Sequence, residues 1–154
     1  MRSGDIPERW PRERITLASL DVWNTRPLAA EERSALDFLL KQEFPGRDEL
    51  LVQAESVQTG GLSCTCGCPS FSLVPNRSLP PAPVSARVPA EAHGTDPGGN
   101  EVGVLLFVDD EGYLLDVEVY SFAGEFGGLP SVGALKPSEW SADDGSGARH
   151  LLNP

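Results

Sequence analysis

The sequence predicts an α+β fold: two N-terminal helices packed on an antiparallel sheet of four or five strands. Three observations carry the prediction. Apolar residues recur at helical spacing over 28–41, and again briefly over 47–55. The period changes after Ser56. A continuous apolar run from Val104 to Val108 is then followed by a turn and an alternating segment, which is the pattern of a β-hairpin.

Taken in order, residues 1–25 show no sustained period and are expected as a flexible or loosely docked lead-in. In 28–41, Leu28, Ala35, Leu36, Leu39 and Leu40 form one helical face, while Glu31, Glu32, Arg33, Asp37 and Lys41 take the other. Glu31 and Glu32 fall in the first turn, where the helix dipole favours anions. The N-cap itself is poor, because Ala29 and Ala30 stand where Ser, Thr or Asp is preferred. Phe44-Pro45-Gly46 stops this helix, and Asp48-Glu49 followed by Leu50, Leu51 and Ala54 starts a second, short one.

Val57 through Cys64 reads as extended, and Phe71 and Leu73 alternate with serines, so the two segments are expected to pair as a hairpin. Residues 75–100 contain six Pro and three Gly, and within them only Val84-Ser85-Ala86-Arg87-Val88 looks able to join a sheet. The clearest element is 102–120. Its apolar first strand suits a buried central position, and Asp109-Asp110-Glu111-Gly112 supplies the turn, with Gly112 placed for a positive φ. Leu115, Val117 and Val119 then alternate with Asp116, Glu118 and Tyr120, giving one buried and one wet face. Residues 138–154 contain Asp143-Asp144-Gly145-Ser146-Gly147 and are expected as a disordered tail, which leaves 26–137 as the folded domain.

Charge narrows the function classes. The chain of 154 residues carries a net charge of −11. Residues 1–47 hold eight basic and eight acidic side chains, so the excess belongs entirely to 48–154, with four basic and fifteen acidic. An acidic field of this kind argues against nucleic acid and against an anionic membrane surface as partners. It favours solubility and speeds encounter with a basic protein. No apolar run approaches the length of a membrane span, and the first 26 residues lack the apolar core of a secretion signal, so the cytoplasm is the expected location.

Two groups of residues can carry chemistry. Cys64, Cys66 and Cys68, with His93 or His150 as a fourth ligand, would make a Cys₃His zinc site. The C-x-C spacing argues against it, because sulfurs one residue apart on a strand project in parallel, and the second ligand pair that makes such motifs strong is missing. The competing reading is small cysteines packed beside a tight Gly-Pro turn. The second group is Asp109, Asp110, Glu111, Asp116 and Glu118 around one hairpin. They can form a cation site or an acid/base pair, but the turn lacks the spacing of a calcium loop. As a surface for a basic partner, this acidic hairpin is the best candidate in the chain. Trp10, Trp23 and Trp140 flank the core elements and are expected to dock the terminal segments. The chain has no P-loop, no dinucleotide-binding glycine fingerprint, no G-x-S-x-G and no H-E-x-x-H.

One resemblance accompanies these readings. The order Arg26-Pro27-Leu28-Ala29-Ala30-Glu31-Glu32-Arg33, Leu39-Leu40, Phe44-Pro45-Gly46-Arg47-Asp48-Glu49-Leu50, then the C-x-C-G-C-P-S turn at 64–70, then Val104 to Val108 and Glu118-Val119, resembles a family of small uncharacterised actinobacterial proteins. Members typically carry a capping Thr or Ser before the Glu-Glu pair, where this chain has Ala29 and Ala30. The resemblance implies the domain limits and a bacterial origin, and it transfers no functional residue. The leading expectation is a non-enzymatic protein-interaction domain, in one version an immunity-type inhibitor of a basic partner. A zinc-binding domain and an enzyme using the hairpin carboxylates are the alternatives.

Overall fold

A computed structural model describes residues 25–138 apart from Cys64. The expectations for the lead-in, the tail, the three tryptophans and His150 lie outside the described residues. In chain order the elements are β1 (Arg26–Pro27), α1 (Ala30–Leu40), α2 (Arg47–Ser56), β2 (Gln58–Thr59), β3 (Phe71–Ser72), β4 (Ala90–Thr95), β5 (Glu101–Val108), β6 (Leu114–Ser121) and β7 (Leu135–Pro137). A single 3₁₀ turn, Val132–Ala134, leads into β7. Five strands form one antiparallel sheet in the order β3-β6-β5-β4-β7, and β1 pairs with β2 in a separate ribbon. The fold is α+β, with both helices on one face of the sheet.

The inner face follows from the two periods. Leu36, Leu39 and Leu40 of α1 and Leu50 and Ala54 of α2 meet Val102, Val104, Leu106 and Val108 of β5 and Val117 and Val119 of β6. These side chains are almost completely removed from water, and each fully buried Leu contributes about 1.5–3 kcal/mol. The missing side-chain cap of α1 is replaced from within the helix. Glu32 Oε1 accepts the Ala29 N–H at 2.8 Å, and both Glu32 oxygens are held by Arg26 at 2.9 Å. The Arg26 hydrogen bonds, opposed by burial and aided by the Ala29 N–H, hold the Glu32 carboxyl below the usual range.

Three sequence expectations need correction. The strand within 75–100 is β4 at Ala90–Thr95, not Val84–Val88. Its Ala, His and Gly have weak strand propensity, and it forms because β5 and β7 pair with it on both sides. Of the expected patch, Arg87 alone reaches the sheet, its carbonyl accepting the Val108 N–H. The hairpin expected from 57–64 and 71–73 is reduced to isolated bridges, Gln58 with Val74 and Leu62 with Phe71, while β2 pairs with β1 instead. Gly60-Gly61 interrupts the ladder there. Finally, Leu115 does not face the core. A bulge opposite Phe107 and Val108 makes it the extra residue of β6, half-exposed, and Leu114 takes the inward place.

Candidate functional site

The five carboxylates of the predicted acidic hairpin lie in two different environments. The first is the tip between β5 and β6. Gly112 has φ of +94°, as its place in the turn requires, and its N–H donates to the Asp109 carbonyl. Asp109 Oδ1 accepts the N–H groups of Glu111 and Tyr113, at 2.9 and 3.0 Å, so this carboxylate builds the turn. Its other oxygen pairs with Arg77 at 3.0 Å, and the same guanidinium binds Glu111 and lies 4.2 Å from the Tyr113 ring centroid. Asp110 pairs with Arg87 at 2.8 Å. All three carboxylates of the tip therefore meet guanidinium groups of this same chain.

The tip is also anchored from below. Gln53, completely buried on α2, donates to the carbonyls of Gly112 and Pro80 and accepts the Leu114 N–H at 3.0 Å. A buried amide with every partner in place fixes the turn against the helix layer. Nothing in the sequence pattern marks Gln53, since it occupies an apolar position of the short helix.

The second environment is the outer face of the sheet, turned away from the helices. Asp116, Glu118 and Tyr120 project there from β6, and Phe122 follows in the same alternation. Across from them, β5 presents Glu101, Gly103, Leu105 and Phe107, and β4 presents Glu91, His93 and Thr95. Gly103 is required: a Cβ there would collide with the Tyr120 ring and hydroxyl, which pass over the glycine. The Tyr120 hydroxyl reaches over β5 and donates to Glu91 Oε2 at 3.0 Å. Burial, then the neighbouring Glu91 charge and its hydrogen bond, push the Tyr120 hydroxyl up to about 12, so it remains a donor. Phe122 is 62% exposed and meets Tyr120 edge-to-face, with ring centroids 5.4 Å apart.

Asp116 is the perturbed acid of this face. Its Oδ1 is buried with no hydrogen-bond partner, and burial, aided by the Glu118 charge, pushes the carboxyl up to about 6. Among the described residues, neither Asp116 nor Glu118 is in an ion pair with a cation of the chain.

Of the zinc set, Cys66 and Cys68 are not brought together with His93, while Cys64 and His150 lie outside the described residues. Cys66 and Cys68 lead into β3, whereas His93 lies on β4, and β6 and β5 stand between them. Three strand spacings amount to about 14 Å, far beyond a shared ion. Cys68 is buried and its thiol donates to Ser70 Oγ, which in turn exchanges hydrogen bonds with the Val119 backbone. Cys68 thus latches the turn to β6, and Cys66 is exposed. No grouping of three or more His, Cys, Asp or Glu suited to a metal ion occurs among the described residues.

One open cleft of 730 Å³ lies between the start of α1, the β4–β5 turn and residues 129–134. Ala30, Leu129, Pro130 and Val132 make it mainly apolar. Asp96, on its wall, is spent internally: it accepts the N–H groups of Gly98, Asn100 and Gly127, together with the Asn100 amide. Burial pushes that carboxyl up, but these donors outweigh it and hold it below its ordinary value. Among the described residues, the cleft offers no pair of converging acid and base.

Comparison with family models, with curated proteins and with solved structures finds no match for this chain. No helix among the described residues is long and apolar enough to cross a membrane.

Proposed function

We propose that the chain is a non-enzymatic protein-interaction domain whose partner is a basic protein, with an immunity-type inhibitor of a basic toxin as its concrete version. One observation carries this reading. Residues 25–138 contain sixteen Asp and Glu against five Arg and two Lys. All five arginines, Arg26, Arg33, Arg47, Arg77 and Arg87, are paired with carboxylates of the chain itself. Among the described residues the acidic side chains outnumber the basic ones by nine, so their field is negative and steers cationic partners. An enzyme built on the tip carboxylates is disfavoured, because Arg77 and Arg87 occupy them. The test is titration of the full chain against a panel of strongly basic proteins at low and moderate salt. The reading expects a complex whose affinity falls steeply as salt rises. No salt-sensitive complex with any member, at large excess, would overturn it.

A further inference from the structure

The acidic remainder is not evenly useful, and one surface combines it with exposed aromatic rings. On the outer sheet face, the register sets Glu101 of β5 directly opposite Phe122, just as Gly103 stands opposite Tyr120 and Leu105 opposite Glu118. Side chains directly opposite on one face lie about 5 Å apart. The Phe122 ring is therefore flanked by Glu101 across the ladder and by Tyr120 along its own strand, with Glu118 and Asp116 continuing the row. Tyr120 cannot swing away, because Gly103 beneath it and Glu91 beyond it fix the ring. Among the described residues, the remaining charged or titratable groups of the face are Glu91 and His93 on β4 and Lys136 on β7. Lys136 sits three strands from β6, at the far margin.

A face with an exposed aromatic ring bordered by carboxylates has the chemistry of a guanidinium receptor. Arginine stacks on an aromatic face through its flat cation, and its fork of donors meets carboxylates at the edge. The tip of the hairpin lacks this combination, since its cations are already supplied.

We propose that an arginine-bearing segment of the basic partner docks across the β5–β6 outer face, one guanidinium stacked on Phe122 and held by Glu101, and a second, further along the segment, held by Glu118. This rests on the basic-partner reading and locates the contact within it. Charge complementarity commits the face to this occupant: a neutral apolar segment would leave the row of carboxylates unpaired, and an acidic one would be repelled.

The experiment measures binding of the full chain, at low ionic strength, to a peptide of alternating arginine and glycine. The same peptide with citrulline in place of arginine serves as the uncharged control. The expected result is binding of the arginine peptide and none of the control. Phe122→Ala and the pair Glu101→Gln/Glu118→Gln should each weaken binding about tenfold. The triple variant Asp109→Asn/Asp110→Asn/Glu111→Gln should change it less than about twofold. The outer-face side chains replaced are exposed, so their variants should keep the native melting temperature. Equal binding of the citrulline peptide, or a loss in the tip variant with none in the outer-face variants, would overturn the location. If the arginine peptide fails to bind while basic proteins do, this contact is wrong and the basic-partner reading survives. If both fail, the reading falls with it.

Discussion

At the tip of the β5–β6 hairpin, three successive carboxylates meet Arg77 and Arg87, which arrive from a segment more than twenty residues earlier. A few residues further along the same hairpin, Asp116 and Glu118 face outward without such a cation among the described residues. In sequence the two groups look alike, as one acidic cluster. In the folded chain, the first is a structural joint whose three carboxylates share two guanidiniums, and the second has no such partner among the described residues. The difference shows that local acidity does not measure available charge, because the neutralising guanidinium can come from any element that packs nearby.

The comparison can be broken at its foundations, and the largest effect is expected at Gln53. Gln53→Leu keeps the volume but removes the acceptor of the Leu114 N–H and the donor to Gly112. A buried donor left unsatisfied should lower stability by about 2–3 kcal/mol in urea unfolding, with the disturbance centred on the tip. Next comes Gly103→Ala, which places a methyl group where the Tyr120 ring lies. Displacing the ring should cost about 2 kcal/mol and break its hydrogen bond to Glu91, while the Arg77 and Arg87 pairs at the tip persist. Loss of the tip pairs in place of the Tyr120 contact would contradict the division of the hairpin into two parts.

A smaller effect, of opposite sign, is expected at Asp116. Its folded carboxyl titrates near 6 against an ordinary value of 3.8, so the folded chain holds the proton more tightly than the unfolded one. The stabilisation is complete below about pH 4 and is lost as pH rises through about 6. Solvent screening at this half-exposed site limits it to about 1 kcal/mol. Asp116→Asn should flatten this slope and raise stability at neutral pH. A slope unchanged in the variant would assign the titration elsewhere.

The smallest change in stability belongs to Arg77→Gln with Arg87→Gln, under about 1 kcal/mol because the pairs are solvated. That double variant sharpens the comparison most. With its cations removed, the tip should become a second acidic surface, and titration with the arginine peptide should show added binding there.

Much of the fold was legible in the chain. The helical stripes of α1 and α2, the apolar run of β5 and the alternation of β6 are local patterns, and the structure places elements on them. Three features were not local. Ala90-Glu91-Ala92-His93-Gly94-Thr95 becomes a strand through pairing on both sides. The bulge at Leu115 shifts the inward position to Leu114. The Cys68 turn is tied down by Ser70 and the Val119 backbone. Of the candidate site, the outward pointing of Asp116 and Glu118 follows from alternation alone. The pairing of Asp109, Asp110 and Glu111 depends on tertiary contacts with Arg77 and Arg87. The Tyr120–Phe122 pair needs the strand to continue its alternation past Ser121, and it needs a glycine opposite Tyr120, which the register of β5 and β6 supplies.

The most direct test of the difference between tip and outer face is a residue-resolved amide NMR titration of the full chain with the arginine–glycine peptide. The account predicts shifts concentrated at Glu101–Gly103 and Glu118–Phe122, with Asp109–Gly112 essentially still. Shifts concentrated at Asp109–Gly112, with Glu118–Phe122 unmoved, would contradict it.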